Sequence, residues 1–479
     1  MEEKKIPTEL EELYSSIQKM HEETKQLYAD ARRYRDESRR LRDESRNSRV
    51  AVQMEATLMA DEKKKWVVDG IPRPEGAYSY YGAGGDSYVL YKSISSKGQF
   101  DTYCATLANA GFQKHYDSVE GKAVYACFYN DEAILNVSFS SADSALRVTV
   151  DHRSKSALPP LGEICDGTPN CAKPNLTLFG DHLYETCDCG MGYIFRLSDG
   201  SFVVIDGGMP WPATIPEAFY NRLVELSEGR KIVISAWILT HAHPDHTRVY
   251  VELSKSHGAD IDVRRVIYNF PGYLMQLGST HRSWCETEVR FVEEATERYQ
   301  SHPEFIRAYT GQHYHLPGMQ IDMLFTLDDF KQPFFPLNFN ATSLIFRITA
   351  EGQTFMFLGD GDPTSIGIIS AKYGTALKSD VVQVAHHGYY GGTKEGYDLI
   401  DAPIVLWPVP WYHPKDKSMR YAKPDWSPVT REMIRDHAKY VYIQAKGTDI
   451  LTLPLTGEEG TTLSSPDDYP NKYWPEWKA

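Results

Sequence analysis

The sequence predicts a layered α/β domain that follows a small α+β unit and a long N-terminal helix. Short apolar runs alternate with amphipathic segments over residues 174–457, strand-like runs surround one helical segment over 77–157, and apolar or small residues recur every three or four positions over 7–65. A chain of 479 residues is also too long for one ordinary domain. We therefore expect a coiled-coil helix over 1–68, the small α+β domain, the layered α/β domain, and a C-terminal tail over 458–479.

The N-terminal segment has the periodicity of a coiled coil. Its seam begins at Leu10 and Leu13, and two consecutive heptads, RRYRDES at 32–38 and RRLRDES at 39–45, are nearly identical. A helix this polar buries little of its own surface as a monomer. The pattern favours a homo-oligomer that associates through residues 7–65. The alternative is a solvated helix that lies on its own globular body.

The small unit combines one helical segment, over 100–112, with several strand-like runs. These runs are rich in Val, Ile, Tyr and Phe and span residues 87–94, 122–130, 133–140 and 145–151. The unit contains no cluster of catalytic residue types. It is interpreted either as a binding or interaction module or as a structural spacer.

The layered domain is predicted from apolar runs whose length is typical of buried strands. Three such runs lie within 176–208, a helical segment covers 216–229, and a buried strand covers 231–240. Further strand-like runs follow at 342–360, 380–388 and 402–409. The alternation indicates a layered α/β architecture and excludes a helical bundle.

A cluster of potential metal ligands comes directly after the predicted strand over 231–240. The sequence there reads His241-Ala-His243-Pro-Asp245-His246, which places three imidazoles and a carboxylate within six residues. Imidazole and carboxylate are the side chains that bind zinc, iron, manganese or nickel. The spacing lets His241 and His243 reach one metal while Asp245 and His246 reach a second.

This motif resembles that of the metallo-β-lactamase superfamily, in which His-x-His-x-Asp-His follows a central strand. Further motifs of the family appear in order: SFVVIDGGM with Asp206, FMFLGD with Asp360, and VAHHG with His386 and His387. The resemblance covers roughly residues 174–457 and implies an αββα sandwich with a metal site at one edge.

The resemblance also implies a ligand set and catalytic roles. In the family the aspartate that corresponds to Asp360 bridges two metals, and one histidine of the late pair completes the second metal's shell. The expected metal ligands are His241, His243, Asp245, His246, Asp360 and His386. The expected catalytic residues are Asp245, His387 and His413, with the roles of His386 and His387 open to exchange. The cofactor would be one or two divalent transition metal ions per chain, Zn²⁺ first, with Mn²⁺ or Fe²⁺ as alternatives.

Within the superfamily, the chain looks most like the branch that cleaves phosphodiesters. The run from GYIFRLSDGSFVVIDGG through NFNATSLIFRI to VAHHG resembles the metallo-β-lactamase domain of competence-type DNA-uptake channels and the choline-phosphate esterases of teichoic acid. Trp411-Tyr412-His413-Pro414 resembles a Tyr-Gly-His-Pro element of the first type, although the glycine is missing. His413 is therefore a candidate substrate contact.

One position departs from the family pattern. Many members carry a histidine about twenty residues before the bridging aspartate, as the third ligand of the first metal. This chain has Asn338 and Asn340 there. Either amide oxygen could replace the imidazole as a weaker ligand, or His313 or His315 could fold in instead.

The net charge and the hydropathy of the sequence indicate which substrates and binding partners to expect. The net charge of −14 argues against a polymer-binding face, so a small or terminal phosphodiester is expected, with nucleic acid possible but not favoured. No apolar run is long enough to span a membrane and no signal-like segment opens the chain, so we expect a cytoplasmic protein without membrane association. The alternatives are hydrolysis of a carboxylic ester, lactone or amide, or a non-enzymatic oligomeric scaffold with a relic metal site.

Overall fold

The architecture is that of a computed structural model, in which part of the chain is described. The described residues are 70–82, 87–180, 190–209, 214–276, 279, 282–331, 334, 336, 338–389, 391–408, 428–444 and 448–457. The predicted coiled coil, the C-terminal tail and His413 lie outside these ranges. None of the helices within them is long and apolar enough to cross a bilayer.

An antiparallel six-stranded sheet forms the first part of the described chain, and we call it the first sheet. Its strands run in the order β1-β2-β6-β5-β4-β3. Their bounds are β1 Ser79–Gly82, β2 Tyr88–Lys92, β3 Gln113–Glu120, β4 Ala123–Tyr129, β5 Ala133–Ser140 and β6 Ala145–His152. Helix α1, Lys97–Asn109, packs on the sheet through Phe100, Tyr103 and Leu107, and a capping box between Ser96 and Gln99 fixes its start.

Two of these strands were not predicted. Strand β1 is short, and β3 has the sequence QKHYDSVE, whose side chains are exposed or half-buried along its whole length. A strand with little buried surface carries no apolar alternation, so its sequence resembles a loop. The predicted helix over 100–112 begins three residues earlier and ends three residues earlier than expected.

Two larger sheets stack face to face in the rest of the chain. The second sheet has the order β13-β12-β10-β9-β8-β7-β21, with β11 paired to β10, and the third has the order β14-β15-β16-β17-β18-β19-β20. The second sheet comprises β7 Asn175–Leu178, β8 Gly192–Arg196, β9 Phe202–Asp206, β10 Ile232–Ile238, β11 Ile261–Val263, β12 Arg265–Tyr268, β13 Glu304–Arg307 and β21 Asp449–Thr452. The third comprises β14 His313–Leu316, β15 Met319–Phe325, β16 Ile345–Ala350, β17 Gln353–Phe357, β18 Val381–Gln383, β19 Ile404–Trp407 and β20 Tyr440–Ile443.

Helices cover the outer faces of both larger sheets. On the second sheet lie α2 Thr214–Ser227, α3 Pro244–Ser256 and α5 Arg282–Arg298, which α4 Tyr273–Gln276 precedes. On the third lie α6 Pro363–Tyr373, α7 Lys394–Ile400 and α8 Pro428–His437. Short 3₁₀ turns occupy Leu327–Asp329, Phe339–Thr342, Gly374–Leu377 and Ala385–Gly388. One apolar core fills the space between the sheets. The predicted αββα sandwich is therefore confirmed.

The first sheet contacts the sandwich through buried charged residues. Arg307 Nε of β13 donates to Asp151 Oδ1 of β6 at 3.0 Å, with both side chains buried. Lys372 of α6 pairs with Asp329, whose carbonyl oxygen accepts from Arg147 Nη2 of β6 at 2.9 Å. Buried ion pairs need this close geometry to offset the loss of hydration, so these contacts hold the two parts in a defined arrangement.

Candidate metal centre

The His-x-His-x-Asp-His motif lies where β10 passes into α3. His243 is the N-cap of α3 and has an extended backbone, with φ −117° and ψ 148°, and the helix begins at Pro244. Proline suits this first helical position because the backbone donor it lacks would have no helical partner there. His241 and His243 therefore precede the helix, while Asp245 and His246 belong to its first turn.

The Asp-Gly-Gly segment, which begins at the last residue of β9, holds this loop in place through hydrogen bonds and close packing. Asp206 accepts hydrogen bonds from the backbone nitrogen and the hydroxyl of Thr240, each at 2.8 Å, and its Oδ2 lies 2.8 Å from Nδ1 of His246. A Cβ on Gly207 would lie 2.8 Å from Cβ of Val249 in α3. Glycine at this position lets the helix approach, which brings the motif over the end of β9.

Asp360 enters from the third sheet, at the end of β17. The preceding Gly359 has φ +53°, and a Cβ there would lie 2.9 Å from Ser343 and 3.1 Å from Thr240. The backbone nitrogen of Asp360 donates to Ser343 Oγ at 3.1 Å. The tight turn therefore places the Asp360 carboxylate between the loops from both sheets.

The two adjacent histidines adopt a rare backbone conformation. His386 and His387 have φ values of 50° and 52°, in the left-handed region, and Gly388 follows at 86°. Non-glycine residues in this region each cost roughly 1–3 kcal/mol, and such strain concentrates at functional sites. His387 Nδ1 lies 2.8 Å from the carbonyl oxygen of Pro408, which can only accept, so Nδ1 carries a proton and Nε2 is the nitrogen that can bind a metal.

Four side chains converge on one point, and we call them the Asp245 group: Asp245, His246, Asp360 and His387. Their potential ligand atoms all lie within 4.8 Å of one another. Nε2 of His387 is 3.3 Å from Asp245 Oδ2 and 3.6 Å from Asp360 Oδ1, and Nε2 of His246 is 3.3 Å from Asp360 Oδ1. The group matches the coordination shell of a divalent metal.

A second set shares Asp360, and we call it the His241 group: His241, His243 and Asp360. Its potential ligand atoms meet the same 4.8 Å limit. Nε2 of His241 is 3.0 Å from Nδ1 of His243 and 3.8 Å from Asp360 Oδ2. Asp360 therefore turns one carboxylate oxygen toward each group.

The charges at the centre are unbalanced. Burial lowers the pKa of His241 well below its usual range, whereas the surrounding carboxylates raise the pKa of His246 against the effect of burial. Burial would raise the pKa of Asp245 and Asp360, but the adjacent histidines hold both below their usual range. Within the described part of the chain, the ion-pair partners of these two carboxylates are all histidines.

The residues present fit a metal. Nε2 of His246, Nε2 of His387 and Oδ1 of Asp360 are buried, face one another and make no hydrogen bond. Leaving such atoms without a partner costs about 1–3 kcal/mol each, and a cation would satisfy all of them at once. The backing of His246 by Asp206 and of His387 by Pro408 is also typical of histidines that bind metals.

The structure brings together most of the residues predicted from sequence. His241, His243, Asp245, His246 and Asp360 converge as expected. His386, the expected ligand of the late pair, instead has Nε2 at 2.8 Å from Asn340 Nδ2 and 3.9 Å from Asp360 Oδ2, and the geometry places His387 in the Asp245 group.

Other candidates lie elsewhere. His313 Nδ1 is 2.7 Å from Asp322 Oδ1, and His315 is exposed on the same strand, β14. Neither belongs to the two groups. His413 lies outside the described residues. From the sequence, Asp206 was placed in a family motif but was given no role. A carboxylate at the end of an apolar strand is the feature that could have indicated one.

The chain was compared with known protein families, curated proteins and solved structures. Residues 188–399 match the family model of the metallo-beta-lactamase superfamily. No curated protein matches the chain.

Among solved structures, the chain is similar to the metallo-beta-lactamase fold protein YhfI of Bacillus subtilis, at 15% identity over 58% of this chain and 99% of that one, with a TM-score of 0.35. It is similar to CmlA, a diiron beta-hydroxylase of Streptomyces venezuelae, at 13% identity over 60% and 55%, with a TM-score of 0.34. It is also similar to the short form of human tRNase Z, at 11% identity over 48% and 90%, with a TM-score of 0.25.

Proposed function

Residues 188–399 belong to the metallo-β-lactamase superfamily, and on this premise we propose that the chain is a metal-dependent hydrolase of small or terminal phosphodiesters. The observation that carries the proposal is the sharing of Asp360 between the Asp245 group and the His241 group. A carboxylate between two ligand sets suits two cations side by side. Such pairs recur in enzymes that displace groups at phosphorus, where they hold the attacking and the leaving oxygen.

The proposed ligands are His241 and His243 on one side, Asp245, His246 and His387 on the other, and Asp360 between them. When bound, divalent metal ions would lower the pKa of a coordinated water and polarise the phosphoryl oxygens. Asp206 and the carbonyl oxygen of Pro408 would keep the imidazoles in the tautomer that leaves Nε2 available.

His386 exchanges its expected role with His387. Its side chain is 23% exposed, compared with 1% for His387, and it lies beside the centre without entering the Asp245 group. We assign it, together with His413, to contact substrate oxygens. Asp245 would orient the attacking water while it holds the metal.

The substrate class rests on sequence resemblance and on charge. The run around Asn340, the His386-His387-Gly388 turn and Trp411-Tyr412-His413-Pro414 resemble the branch that cleaves phosphodiesters. A net charge of −14 disfavours a long polyanion, so small or terminal phosphodiesters are preferred over duplex DNA.

The remaining organisation is also proposed. A coiled-coil helix over 1–68 would assemble a cytoplasmic homo-oligomer through residues 7–65, and domains over 77–157 and 174–457 would precede a tail over 458–479. Light scattering on the full chain and on a chain that lacks residues 7–65 tests the assembly.

The test of function uses the full chain, metal-depleted and then reloaded with Zn²⁺, Mn²⁺ or Fe²⁺. Turnover is measured on bis-(p-nitrophenyl) phosphate, p-nitrophenyl acetate, a lactone and a β-lactam. We expect phosphodiester turnover that depends on metal. His386→Ala should retain metal yet lose about a hundredfold to a thousandfold in turnover, because one donor to the developing charge is removed. His315→Ala, at an exposed histidine of β14, is the matched control and should behave like the unchanged chain.

Two outcomes contradict the proposal. Turnover of the lactone or the β-lactam without any phosphodiester cleavage would move the chain to a different hydrolase class of the same fold. A chain that binds metal but turns over none of the four substrates would favour a scaffold with a relic site.

A further inference from the structure

The His241 group is the less complete half of the centre. It contains three potential ligands, whereas the Asp245 group contains four. A metal held by three protein groups keeps open positions that other donors can fill. A further donor to this group would have to come from a side chain near His241 and His243.

Asn340 approaches this group through His386, which lies next to Asp360, and the structure distinguishes it from Asn338. Oδ1 of Asn338 accepts the backbone nitrogen of Asn340 at 3.0 Å, so it serves as the cap of the 3₁₀ turn over Phe339–Thr342. Oδ1 of Asn340 is buried and has no hydrogen-bond partner, although the residue is only 3% exposed. A buried carbonyl oxygen without a partner costs about 1–3 kcal/mol, which a bound cation would recover.

The amide of Asn340 is also oriented by its neighbours. Its Nδ2 lies 2.8 Å from Nε2 of His386, and that same Nε2 lies 3.9 Å from Asp360 Oδ2, the oxygen that faces His241. Because the amide hydrogen occupies the lone pair of His386, this imidazole is not free to bind metal through Nε2. The oxygen on the same amide has no partner among the described residues and is free to act as a donor.

The turn that carries Asn340 is fastened to both loops of the centre. The backbone nitrogen of Leu344 donates to the carbonyl oxygen of Thr240 at 2.9 Å, directly before His241. Ser343 Oγ accepts the backbone nitrogen of Asp360 at 3.1 Å. A ligand held in this way requires little rearrangement when a metal binds.

We propose that Asn340 supplies its side-chain oxygen as the further protein ligand of a metal held by the His241 group. This inference rests on the proposed function, because it assumes that the group binds a metal. An amide oxygen is a harder and weaker donor than imidazole, so the group would favour Mn²⁺ or Fe²⁺ more than an all-imidazole site does. The two halves would then differ in affinity, with the Asp245 group filled first.

The experiment titrates Mn²⁺ and Zn²⁺ into the metal-depleted full chain by calorimetry, with electron paramagnetic resonance of the Mn²⁺ form as a second readout. The unchanged chain should bind in two steps. Asn340→Ala should weaken the second step at least about tenfold, leave the first step within about twofold, and abolish the spin coupling between two Mn²⁺ ions. Asn340→His should strengthen the second step for Zn²⁺. Asn338→Ser keeps a neutral cap acceptor and should leave both steps unchanged.

The outcomes separate this inference from the proposed function. Two binding steps that Asn340→Ala leaves unchanged would overturn the role of Asn340 and leave the hydrolase proposal standing. Equal weakening of both steps together with a lower melting temperature would assign Asn340 a purely structural role, which also overturns it. A chain that binds neither metal would overturn both.

Discussion

The metal centre and the contact between the first sheet and the sandwich are both buried and charged, yet they are balanced in opposite ways. In the centre, Asp245 and Asp360 face histidines among the described residues. The other set, which we call the interface cluster, pairs carboxylates with cations of the chain itself. Its members are Arg147, Asp151, Arg307, Asp329 and Lys372. Asp328 lines the same cavity as Asp329, and its donor is the neutral side chain of Asn269.

The partners of the buried carboxylates distinguish a structural cluster from a functional one. Asp151 is paired with Arg307 and also accepts from Tyr309 at 2.5 Å, so the chain itself supplies the cation for this buried carboxylate. Buried charges require a partner, and among the described residues the partners of Asp245 and Asp360 are histidines, which are also side chains that bind metals. Removing a residue from the interface cluster should therefore cost stability, whereas removing one from the centre should cost metal and activity.

The largest expected effect is at Asp360. Asp360→Ala should abolish binding at both groups, because each uses one of its oxygens, and should lower turnover by at least about a thousandfold. The metal-depleted variant should remain folded with a lower melting temperature, because the ion pairs of Asp360 with His246 and His387 are lost. Elemental analysis measures the loss of metal, and thermal melting measures the change in stability. Two metals retained by Asp360→Ala would show that the groups do not share this residue.

The converse variant is Arg307→Met. It leaves Asp151 buried without its cation, which typically costs about 3–5 kcal/mol in the free energy of unfolding. Metal content per folded chain should stay unchanged. Arg290→Met removes an exposed partner of Glu294 and should cost less than about 1 kcal/mol. Denaturant unfolding of both variants measures the two costs. A loss of metal in folded Arg307→Met would contradict the assignment of Arg307 to a purely structural cluster.

A smaller, pH-dependent effect is expected at Asp328. Burial raises the pKa of this carboxyl to about 7, although Asn269 donates to it at 2.7 Å. Between about pH 4 and 7 the unfolded chain releases this proton while the folded chain keeps it. The free energy of unfolding therefore falls as pH rises through that window, by up to about 4 kcal/mol.

Asp328→Asn isolates this contribution, because an amide does not titrate. The variant should gain stability relative to the unchanged chain as pH rises from about 4.5 to 7.5. Metal-depleted protein is used for both chains, so that the titration of the centre cancels in the difference. A difference in unfolding free energy that stays constant with pH would mean that Asp328 is ionised in the folded chain.

The two regions also differ in how far the sequence predicts them. His241 through His246 and Asp360 were predicted because each follows an apolar strand within a few residues. The order of His386 and His387 was not, because it depends on two consecutive left-handed residues. The pairing of Asp151 with Arg307 joins segments 156 positions apart, and no local pattern signals it.

The choice between Asn338 and Asn340 was open for the same reason. Both amides fit the sequence pattern, and only the folded turn shows that one caps a backbone nitrogen while the other remains unpartnered. Strand β3 was missed because few of its side chains are buried. Local periodicity therefore predicts the sandwich and most of the candidate ligands that the fold brings together, whereas tertiary contacts decide the remaining assignments.

The smallest and most selective effect is expected at Asp206. This carboxylate accepts from both donors of Thr240 and from Nδ1 of His246, and an amide has only one acceptor oxygen to offer. Asp206→Asn should weaken binding at the Asp245 group about tenfold to a hundredfold, the usual cost of losing a carboxylate behind a metal-binding histidine. Binding at the His241 group should change less, because Asp206 reaches His241 only through the hydroxyl of Thr240.

The matched control for Asp206→Asn is Asp322→Asn, which alters a buried carboxylate paired with His313 at 2.7 Å on the outer hairpin of the third sheet. It should leave both binding steps unchanged, because that pair contacts neither group. Calorimetric titration of the two variants with metal measures the affinity of each binding step. If Asp206→Asn weakens both steps equally, Asp206 supports the whole loop, and the two halves of the centre are not independently held.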